Sequence, residues 1–281
     1  MSTLNAQRDA IGAAPALPDD VAARVLRNDW VNDDYKHMVL HASGAACHAQ
    51  PGQFFNLLCP VEGKAMPFFR RPMSTYRADP HTEEVEFLYK VAGTGTATLS
   101  HLQAGDTVNI LGPLGKGFRL QQGWQHVLIV ARGVGLATLA PLAEAAHAQS
   151  ITMTVVLSAR SPQALLTLSQ QRFECLGASV ITAFDNDGTS HPDALETVLR
   201  TQIAVQRPDA FFTCGSMRLT ALLKRLSLEY AIAGQVATEE QMVCGLGMCQ
   251  CCTKVVEQRR QRVSKRVCVD GPVFDLAEVI V

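Results

Sequence analysis

The sequence predicts an antiparallel β-barrel followed by an α/β unit and then a small cysteine-rich segment. Short apolar runs broken by Gly, Pro and polar residues fill residues 19–118, a pattern typical of antiparallel strands. From Gln125 onward, apolar strands alternate with helical segments, which favours a parallel sheet with right-handed crossovers. Four of the nine cysteines then crowd into residues 244–252, which indicates a metal or redox site.

Length and composition exclude several classes of protein. The chain has 281 residues, of which 47% are hydrophobic and 18% charged, with a formal net charge of −1. This apolar content suffices for about two domains, and the charge argues against a general nucleic-acid binder. No apolar stretch approaches the roughly 18 residues that cross a bilayer, and the N-terminus lacks the pattern of a secretory signal. We therefore expect a cytoplasmic protein whose thiols stay reduced.

The first predicted unit, residues 19–122, follows an Ala-rich segment, residues 1–18, which we expect to be a flexible tail. Polar and apolar residues alternate at the start of Glu84–Tyr89, as in a half-buried strand. A Gly-containing turn precedes a predicted short helix at Gly95–Leu102. The predicted strands of the barrel are Tyr35–Leu40, Gln53–Leu58, Val85–Val91 and Thr107–Leu111.

The second predicted unit, residues 123–233, alternates strands with helices. Its predicted strands are His126–Ala131, Ile151–Ser158, Ser179–Phe184 and Ala210–Cys214. Its predicted helices are a first one that ends near Gln149, then Pro162–Leu176, Pro192–Thr201 and Met217–Tyr230. After Gly234 we expect no helix. Residues 234–281 are too few to be stable through apolar burial alone, so a metal site or cross-links must hold them.

The cysteine cluster has the spacing C-x4-C-x2-C-x15-C, and its first part is the plant-type spacing of a [2Fe–2S] site. The four cysteines of this pattern are Cys244, Cys249, Cys252 and Cys268. Gly245 and Gly247 let the chain pass close to a cluster in conformations that a Cβ forbids. The alternatives are a four-cysteine zinc site, although structural zinc favours two C-x2–4-C pairs, and buried structural cysteines. We interpret Cys251 as a non-ligand.

Two other motifs suggest nucleotide binding. Arg132-Gly133-Val134-Gly135 follows a strand and opens a helix, where a dinucleotide pyrophosphate can bind, although the same glycines also suit a plain tight turn. In Arg70–Tyr76, a guanidinium can clamp a phosphate and a Ser hydroxyl can reach a flavin ring nitrogen. The alternative there is a strand edge with two exposed arginines. Cys214, followed by Gly215, ends a predicted strand, where α/β sheets bind ligands.

Together these motifs resemble the ferredoxin–NADP reductase superfamily, and most closely the family of electron-transfer subunits of class 1B dihydroorotate dehydrogenase. The resemblance covers nearly the whole chain after the tail, and its motifs occur in the family's order. Residues 111–118 resemble the family's inter-domain LGPLGxGF, residues 239–249 its cluster segment, and residues 267–274 its terminal VCxDGPVF.

The resemblance assigns cofactors to particular residues. It implies FAD bound through the RPxS motif, the strand that flanks the isoalloxazine and a pyrophosphate loop, and these residues are Arg71, Pro72, Met73, Ser74, Leu88, Tyr89, Lys90, Gly95 and Thr96. We add Tyr76 to this set, because a Tyr side chain beside the motif can stack or hydrogen-bond. It implies a nicotinamide nucleotide at Gly133, Gly135, Cys214 and Gly215, and a [2Fe–2S] cluster on the four cysteines. Ser74 would contact the flavin N5, and Cys214 would lie near the nicotinamide.

Two departures leave the choice between NAD(H) and NADP(H) open. Ala131 and Arg132 replace the first two glycines of the family's GGGVG, so that an Arg side chain lies at the nucleotide loop. The family's Ala-Pro-Leu is also displaced, since Ala137-Thr138-Leu139 comes first and Ala140-Pro141-Leu142 three residues later.

The implied function is an electron relay from NAD(P)H through FAD and the cluster to a partner flavoenzyme, or the reverse. The implied partner is an FMN-containing dihydroorotate dehydrogenase catalytic subunit of pyrimidine biosynthesis, in a heterotetramer, with no nucleic acid and no membrane span. No side-chain general acid or base is needed. The alternatives are a reductase component of an oxygenase or other acceptor system, and a non-catalytic redox-sensing subunit. Basic residues at positions 259–266 are either a solvated hairpin tip or a docking patch.

Overall fold

The structure, a computed structural model, describes residues 18–281. The tail expected over residues 1–18 therefore lies outside the described residues, apart from Pro18. The described chain forms a seven-stranded sheet, a six-stranded sheet and a two-stranded hairpin. None of its helices is both long enough and apolar enough to cross a membrane.

The seven-stranded sheet is antiparallel and curls into a half-barrel, with strand order β4-β3-β7-β1-β2-β6-β5. Its strands are β1 (Asp19–Trp30), β2 (Tyr35–His41), β3 (Phe54–Leu57), β4 (Arg71–Ser74), β5 (Arg77–Asp79), β6 (Glu84–Lys90) and β7 (Thr107–Leu114), and the helix α1 (Thr94–Ser100) follows β6. Alternate side chains of these strands enclose one apolar core that includes Leu40, Phe55 and Phe87. This confirms the predicted antiparallel β class.

The six-stranded sheet has the order β10-β9-β8-β11-β12-β15, in which β15 is Val273–Asp275 near the C-terminus. All its pairs are parallel except β12 with β15. Its strands and helices are β8 (His126–Arg132), α2 (Gly135–Ala148), β9 (Thr152–Ala159), α3 (Thr167–Cys175), β10 (Ser179–Phe184), α4 (Pro192–Val205), β11 (Ala210–Cys214), α5 (Met217–Tyr230) and β12 (Ala233–Ala237). After β8 the chain adds β9 and β10 on one side of the sheet, and it then adds β11 and β12 on the other side of β8. Open α/β sheets bind ligands at such a switch point, here between β8 and β11.

The predicted continuous helix Pro162–Leu176 is wrong in its first part. Pro162–Ala164 form a separate 3₁₀ turn, and α3 begins only at Thr167. Leu165 and Leu166, which join the two, are non-helical and are buried in the core of the α/β unit. Burial of these two side chains thus outweighs the helix propensity of the segment.

The C-terminal segment contains β13 (Thr253–Gln258), β14 (Gln261–Arg266), α6 (Val267–Asp270) and β15 (Val273–Asp275). We expected no helix after Gly234, and this is wrong, because α6 forms a single helical turn there. The Asp270 carboxylate accepts a hydrogen bond from the Arg266 N–H at 2.8 Å, which stabilises that turn. Because β15 pairs with β12, and Phe274 and Leu276 share a core with α5, the segment is partly supported by the α/β sheet.

Candidate functional site

A cavity of about 330 Å³ lies where the two large sheets meet. Strands β4 and β6 and helix α1 contribute most of the residues assigned to FAD: Arg71, Pro72, Met73, Ser74, Leu88, Tyr89, Lys90 and Thr96. The α/β unit contributes Val134 and Ala137, and the segment before the cysteines contributes Glu239 and Met242. The tertiary structure therefore brings together motifs that lie far apart in sequence.

One end of the cavity is suited to a phosphate. A Cβ on Gly95 would lie 2.7 Å from Arg71 Nε, so only glycine lets the guanidinium pack against the start of α1. Arg71 is oriented by its hydrogen bond to the Phe69 carbonyl, at 2.6 Å. Thr96 Oγ1 accepts the Gly93 N–H at 3.1 Å and fixes the turn that leads into α1. An oriented guanidinium is a strong phosphate donor.

Three side chains form a hydrogen-bonded chain beside the cavity. The Thr138 hydroxyl donates to Ser74 Oγ at 2.8 Å, and the Cys214 thiol donates to Thr138 Oγ1 at 3.7 Å. Burial raises the pKa of Cys214 to about 12, and the charge of Glu239 adds to this effect. Cys214 is therefore a neutral thiol at physiological pH. Sequence reasoning noted Thr138 only as part of a displaced motif, and its contact with Ser74 depends on tertiary packing.

Glu239 is a second residue whose position the sequence did not reveal. It lines the 330 Å³ cavity and also two adjoining ones of about 250 and 220 Å³. The side chain is exposed to solvent, but desolvation by the protein atoms of the cavity wall raises the pKa of its carboxyl group. Glu239 is thus an ionisable group held next to the cavity in a position to take up or release a proton.

The glycine loop lies at the point where the strand order reverses. Gly133 and Gly215 line the 250 Å³ cavity together with Lys90, at the carboxyl ends of β8 and β11. A Cβ on Gly135 would lie 2.6 Å from the Cys214 carbonyl carbon, so this glycine lets α2 begin directly against the end of β11. The four residues assigned to the nicotinamide nucleotide are therefore neighbours in space.

Arg132 lines the same 250 Å³ cavity as Gly133 and Gly215, but its charge is already paired. Its guanidinium donates to Ser158 Oγ at 2.7 Å and to Asp185 Oδ2 at 2.5 Å. Hydrogen bonds from Arg132 and then from Ser190 hold the pKa of Asp185 at about 2. The Arg side chain therefore bridges the ends of three neighbouring strands, and its charge is matched by a carboxylate.

Tyr76 is not among the residues that line the cavity. It is only 2% exposed, and its hydroxyl lies 3.1 Å from Ser169 Oγ. The Arg172 guanidinium lies 4.4 Å from the centre of the Tyr76 ring, and Arg172 also pairs with Glu144 at 2.6 Å. Tyr76 therefore joins the β-unit to α2 and α3.

The four predicted cysteine ligands come together as two pairs. The Cys249 backbone N–H donates to Cys244 Sγ at 3.5 Å. The Cys268 N–H donates to Cys252 Sγ at 3.4 Å. Within residues 18–281, no three Cys, His, Asp or Glu side chains lie close enough together to hold a metal ion. Cys251 is exposed and belongs to neither pair.

The backbone around Cys244 favours its thiolate form. Burial opposes ionisation, but N–H groups of Cys249 and Leu246 outweigh it and lower the pKa of Cys244 to about 6. At Cys268, burial raises the pKa to about 12, and the adjacent Cys252 adds to the rise. N–H groups that point at sulfur also suit a cluster that gains negative charge on reduction.

The cysteine loop is attached to the β-unit beside the cavity. Asn56 Nδ2 donates to the Cys244 carbonyl at 3.3 Å. Gly245 has a φ of +70°, and a Cβ there would collide with the Asn56 amide. Met242, two residues before Cys244, lines the 330 Å³ cavity, so the cavity and the cysteines are adjacent.

Sequence comparisons agree with these features. Residues 239–280 match the iron-sulfur cluster binding domain of dihydroorotate dehydrogenase B. A "Dihydroorotate dehydrogenase B (NAD(+)), electron transfer subunit" of Caldanaerobacter subterraneus subsp. tengcongensis is 34% identical over 258 residues, 92% of this chain and 97% of that protein. A protein of the same name from Shouchella clausii is 31% identical over 260 residues, 91% of this chain and 96% of that protein.

Structural comparisons confirm the predicted ferredoxin-reductase-like fold class. A chain of the NADH-dependent reduced ferredoxin-NADP oxidoreductase superposes with a TM-score of 0.75 at 27% identity, over 92% of this chain and 90% of that chain. The ferredoxin reductase in carbazole 1,9a-dioxygenase superposes with a TM-score of 0.58 over 76% of this chain and 67% of that one. At 18% identity, the second similarity concerns the fold alone.

Proposed function

The chain belongs to the family of dihydroorotate dehydrogenase B electron-transfer subunits, and from this we propose that it relays electrons between a nicotinamide nucleotide and a dihydroorotate dehydrogenase catalytic subunit. The observation that carries the proposal is the adjacency of the 330 Å³ cavity and the paired cysteines, which Met242 and Asn56 connect. Two redox groups held next to each other in one chain suit an electron relay.

FAD would occupy the 330 Å³ cavity. Arg71, Gly95 and Thr96 would hold its phosphates, and Ser74 would donate a hydrogen bond to its ring. When bound, a flavin accepts an electron pair as hydride and releases electrons singly, which suits a cluster that takes one electron at a time. Cys214 would stay a neutral thiol beside the ring, and Glu239, which lines the cavity, would hold or release a proton there.

A [2Fe–2S] cluster would be held by the four cysteines. Cys244 and Cys249 would bind one iron, and Cys252 and Cys268 the other, since N–H···S hydrogen bonds already join these pairs. The C-x4-C-x2-C spacing favours this cluster over structural zinc, which favours two C-x2–4-C pairs. Cys251, exposed and unpaired with the other four, is left as a non-ligand.

We propose NADH as the nucleotide, bound at Gly133, Gly135, Cys214 and Gly215. The relatives' names specify NAD(+), and the Arg132 charge is taken up by Asp185, so it is less available to a nucleotide phosphate. Arg132 lines the 250 Å³ cavity, so it would contact a nucleotide there with its charge already paired to Asp185.

The partner would be an FMN-containing dihydroorotate dehydrogenase subunit in a heterotetramer, as the relatives' description as electron-transfer subunits suggests.

Arg259 and Arg260 form the two-residue tip between β13 and β14, with φ of 52° and 63°. This tip is either a solvated turn or a docking patch for that partner.

All nine cysteines are free, which supports a reducing compartment such as the cytoplasm. We also propose the functional units 19–122, 123–233 and 234–281.

The test is spectroscopy of the full chain purified without oxygen. It should show flavin bands with broad cluster absorption, and both should bleach with NADH. A colourless, zinc-containing protein would overturn the proposal, and bleaching by dithionite but not by NADH would favour a redox-sensing subunit. Co-purification should bring down a dihydroorotate dehydrogenase catalytic subunit; an oxygenase instead would favour the reductase alternative.

A further inference from the structure

Ser74, Thr138 and Cys214 come from three separate elements, β4, α2 and β11, and meet where the two large sheets adjoin. The Thr138 hydroxyl donates to Ser74 Oγ at 2.8 Å and accepts from the Cys214 thiol at 3.7 Å. Thr138 is 3% exposed and Cys214 is 1% exposed. Because these bonds lie in a water-poor environment, they hold their geometry better than surface hydroxyl contacts do.

Thr138 uses its hydroxyl in an unusual way for a helical threonine. Buried helical threonines commonly bond back to the carbonyl one turn earlier, as Thr98 does to Gly95 and Thr220 does to Ser216. Thr138 instead donates across the boundary between the sheets to Ser74. The hydroxyl is therefore available for a task outside its own helix.

The direction of donation decides what Ser74 can do. A hydroxyl carries one proton and two lone pairs. Since the Thr138 proton occupies one lone pair of Ser74 Oγ, the Ser74 proton is left for another acceptor. Ser74 lines the 330 Å³ cavity, and among residues 18–281 its only side-chain hydrogen bond is the one from Thr138.

We propose that Thr138 is a positioning residue that makes Ser74 a hydrogen-bond donor toward the flavin ring, an inference that rests on the proposed function. Hydrogen bonds in series polarise each other, so donation from Cys214 through Thr138 strengthens the Ser74 donor. A stronger donor stabilises the electron density that the ring gains on reduction. The threonine at position 138 of α2 supplies the hydroxyl.

The test compares Thr138→Val, which keeps the shape, with Thr138→Ser, which keeps the hydroxyl. In Thr138→Val, the limiting rate of flavin reduction at saturating NADH should fall roughly three- to tenfold, the worth of one lost hydrogen bond. The NADH concentration for half-saturation should stay unchanged, and the flavin midpoint potential should become more negative. Thr138→Ser should restore both the rate and the potential.

A second readout needs no flavin. In the flavin-free chain, the infrared S–H stretch of Cys214, assigned by its loss in Cys214→Ala, should shift in Thr138→Val because the thiol loses its acceptor, and stay in place in Thr138→Ser. Thr154→Val is the matched control, since Thr154 is also a buried threonine of the α/β unit but bonds to His126. It should change neither the S–H band nor the flavin potential.

A wild-type rate and potential in Thr138→Val would overturn the inference while the proposed function stands. An unchanged potential with weaker NADH saturation would also overturn it, since that result indicates packing alone. If Thr138→Val does not retain flavin, the flavin reduction rate and potential are compared between Thr138→Ala and Thr138→Ser. The S–H band of Thr138→Val is still measured, since it needs no flavin. A wild-type chain that binds no flavin would overturn the proposed function itself.

Discussion

The Arg132 guanidinium and the Asp185 carboxylate lie 2.5 Å apart and join the ends of β8 and β10 across β9. Ser158 on β9 accepts from the same guanidinium at 2.7 Å. Three neighbouring strand ends are therefore tied together directly below the glycine loop. The arginine that departs from the family's glycine pattern thus has a structural partner in this chain.

Arg132→Met should weaken the fold more than it weakens nucleotide binding. It keeps much of the aliphatic stem but removes the ion pair, so the free energy of unfolding should fall by about 1 kcal/mol. The KM for NADH should stay within about twofold, because the guanidinium is bound to Asp185. Urea unfolding and steady-state kinetics measure the two effects. A large rise in KM with unchanged stability would contradict this assignment.

The contribution of Asp185 should depend on pH. Its pKa in the folded chain is about 2, below its ordinary value of 3.8, because Arg132 and Ser190 bond to the carboxylate. The stabilisation is therefore complete above the unfolded pKa and is lost as the pH falls toward 2. Wild type should be more stable than Asp185→Asn at pH 6, and the difference should shrink between pH 4 and 2. A pH-independent difference would argue against an ion pair.

Serine substitutions should separate cluster ligands from their neighbour. Replacing any one of Cys244, Cys249, Cys252 and Cys268 should remove most of the iron and the broad visible absorption, because each supplies one of four thiolates. Cys251→Ser should retain about two irons per chain, since Cys251 is exposed and outside both pairs. Iron assay and visible spectra test this. Loss of iron in Cys251→Ser would indicate ligand exchange with Cys252.

Two glycines with similar backbone angles should respond differently to alanine. Gly245 has a φ of +70° and Gly188 a φ of +80°, but only at Gly245 would a Cβ collide with Asn56. Gly188→Ala should cost about 1 kcal/mol of backbone strain. Gly245→Ala should cost more and also lower the iron content, because the loop must move off the β-unit. Equal effects on stability, with iron unchanged, would contradict the importance of this contact.

Tyr76→Phe should distinguish a joining role from FAD binding. The change removes the bond to the buried Ser169 but keeps the ring against Arg172, so the free energy of unfolding should fall by about 1 kcal/mol. FAD content should not change. Ser74→Ala, which alters a residue that lines the cavity, is the comparison and should alter flavin reduction. Loss of FAD in Tyr76→Phe would restore the assignment made from the motif.

Local patterns predicted the elements whose buried faces are regular. Strands Ser179–Phe184 and Ala210–Cys214 and helix Met217–Tyr230 have the predicted bounds, because their apolar periodicity and their caps are encoded nearby in sequence. The same reasoning was wrong at Pro162–Leu176 and at α6. At Pro162–Leu176, burial of Leu165 and Leu166 in the core overrides local propensity. At α6, the bond from the Arg266 N–H to the Asp270 carboxylate does so.

The sequence by itself determined the fold class, the family and the four-cysteine pattern, since each depends on spacing along the chain. Only the tertiary structure decided that Arg132 turns to Asp185, that Tyr76 faces Ser169, and that Thr138 and Glu239 lie beside the cavity. The pairing of Cys244 with Cys249 and of Cys252 with Cys268 was likewise decided by the folded loop. The physical reason is that hydrogen-bond partners and burial depend on which surfaces meet, and these surfaces come from segments far apart in sequence.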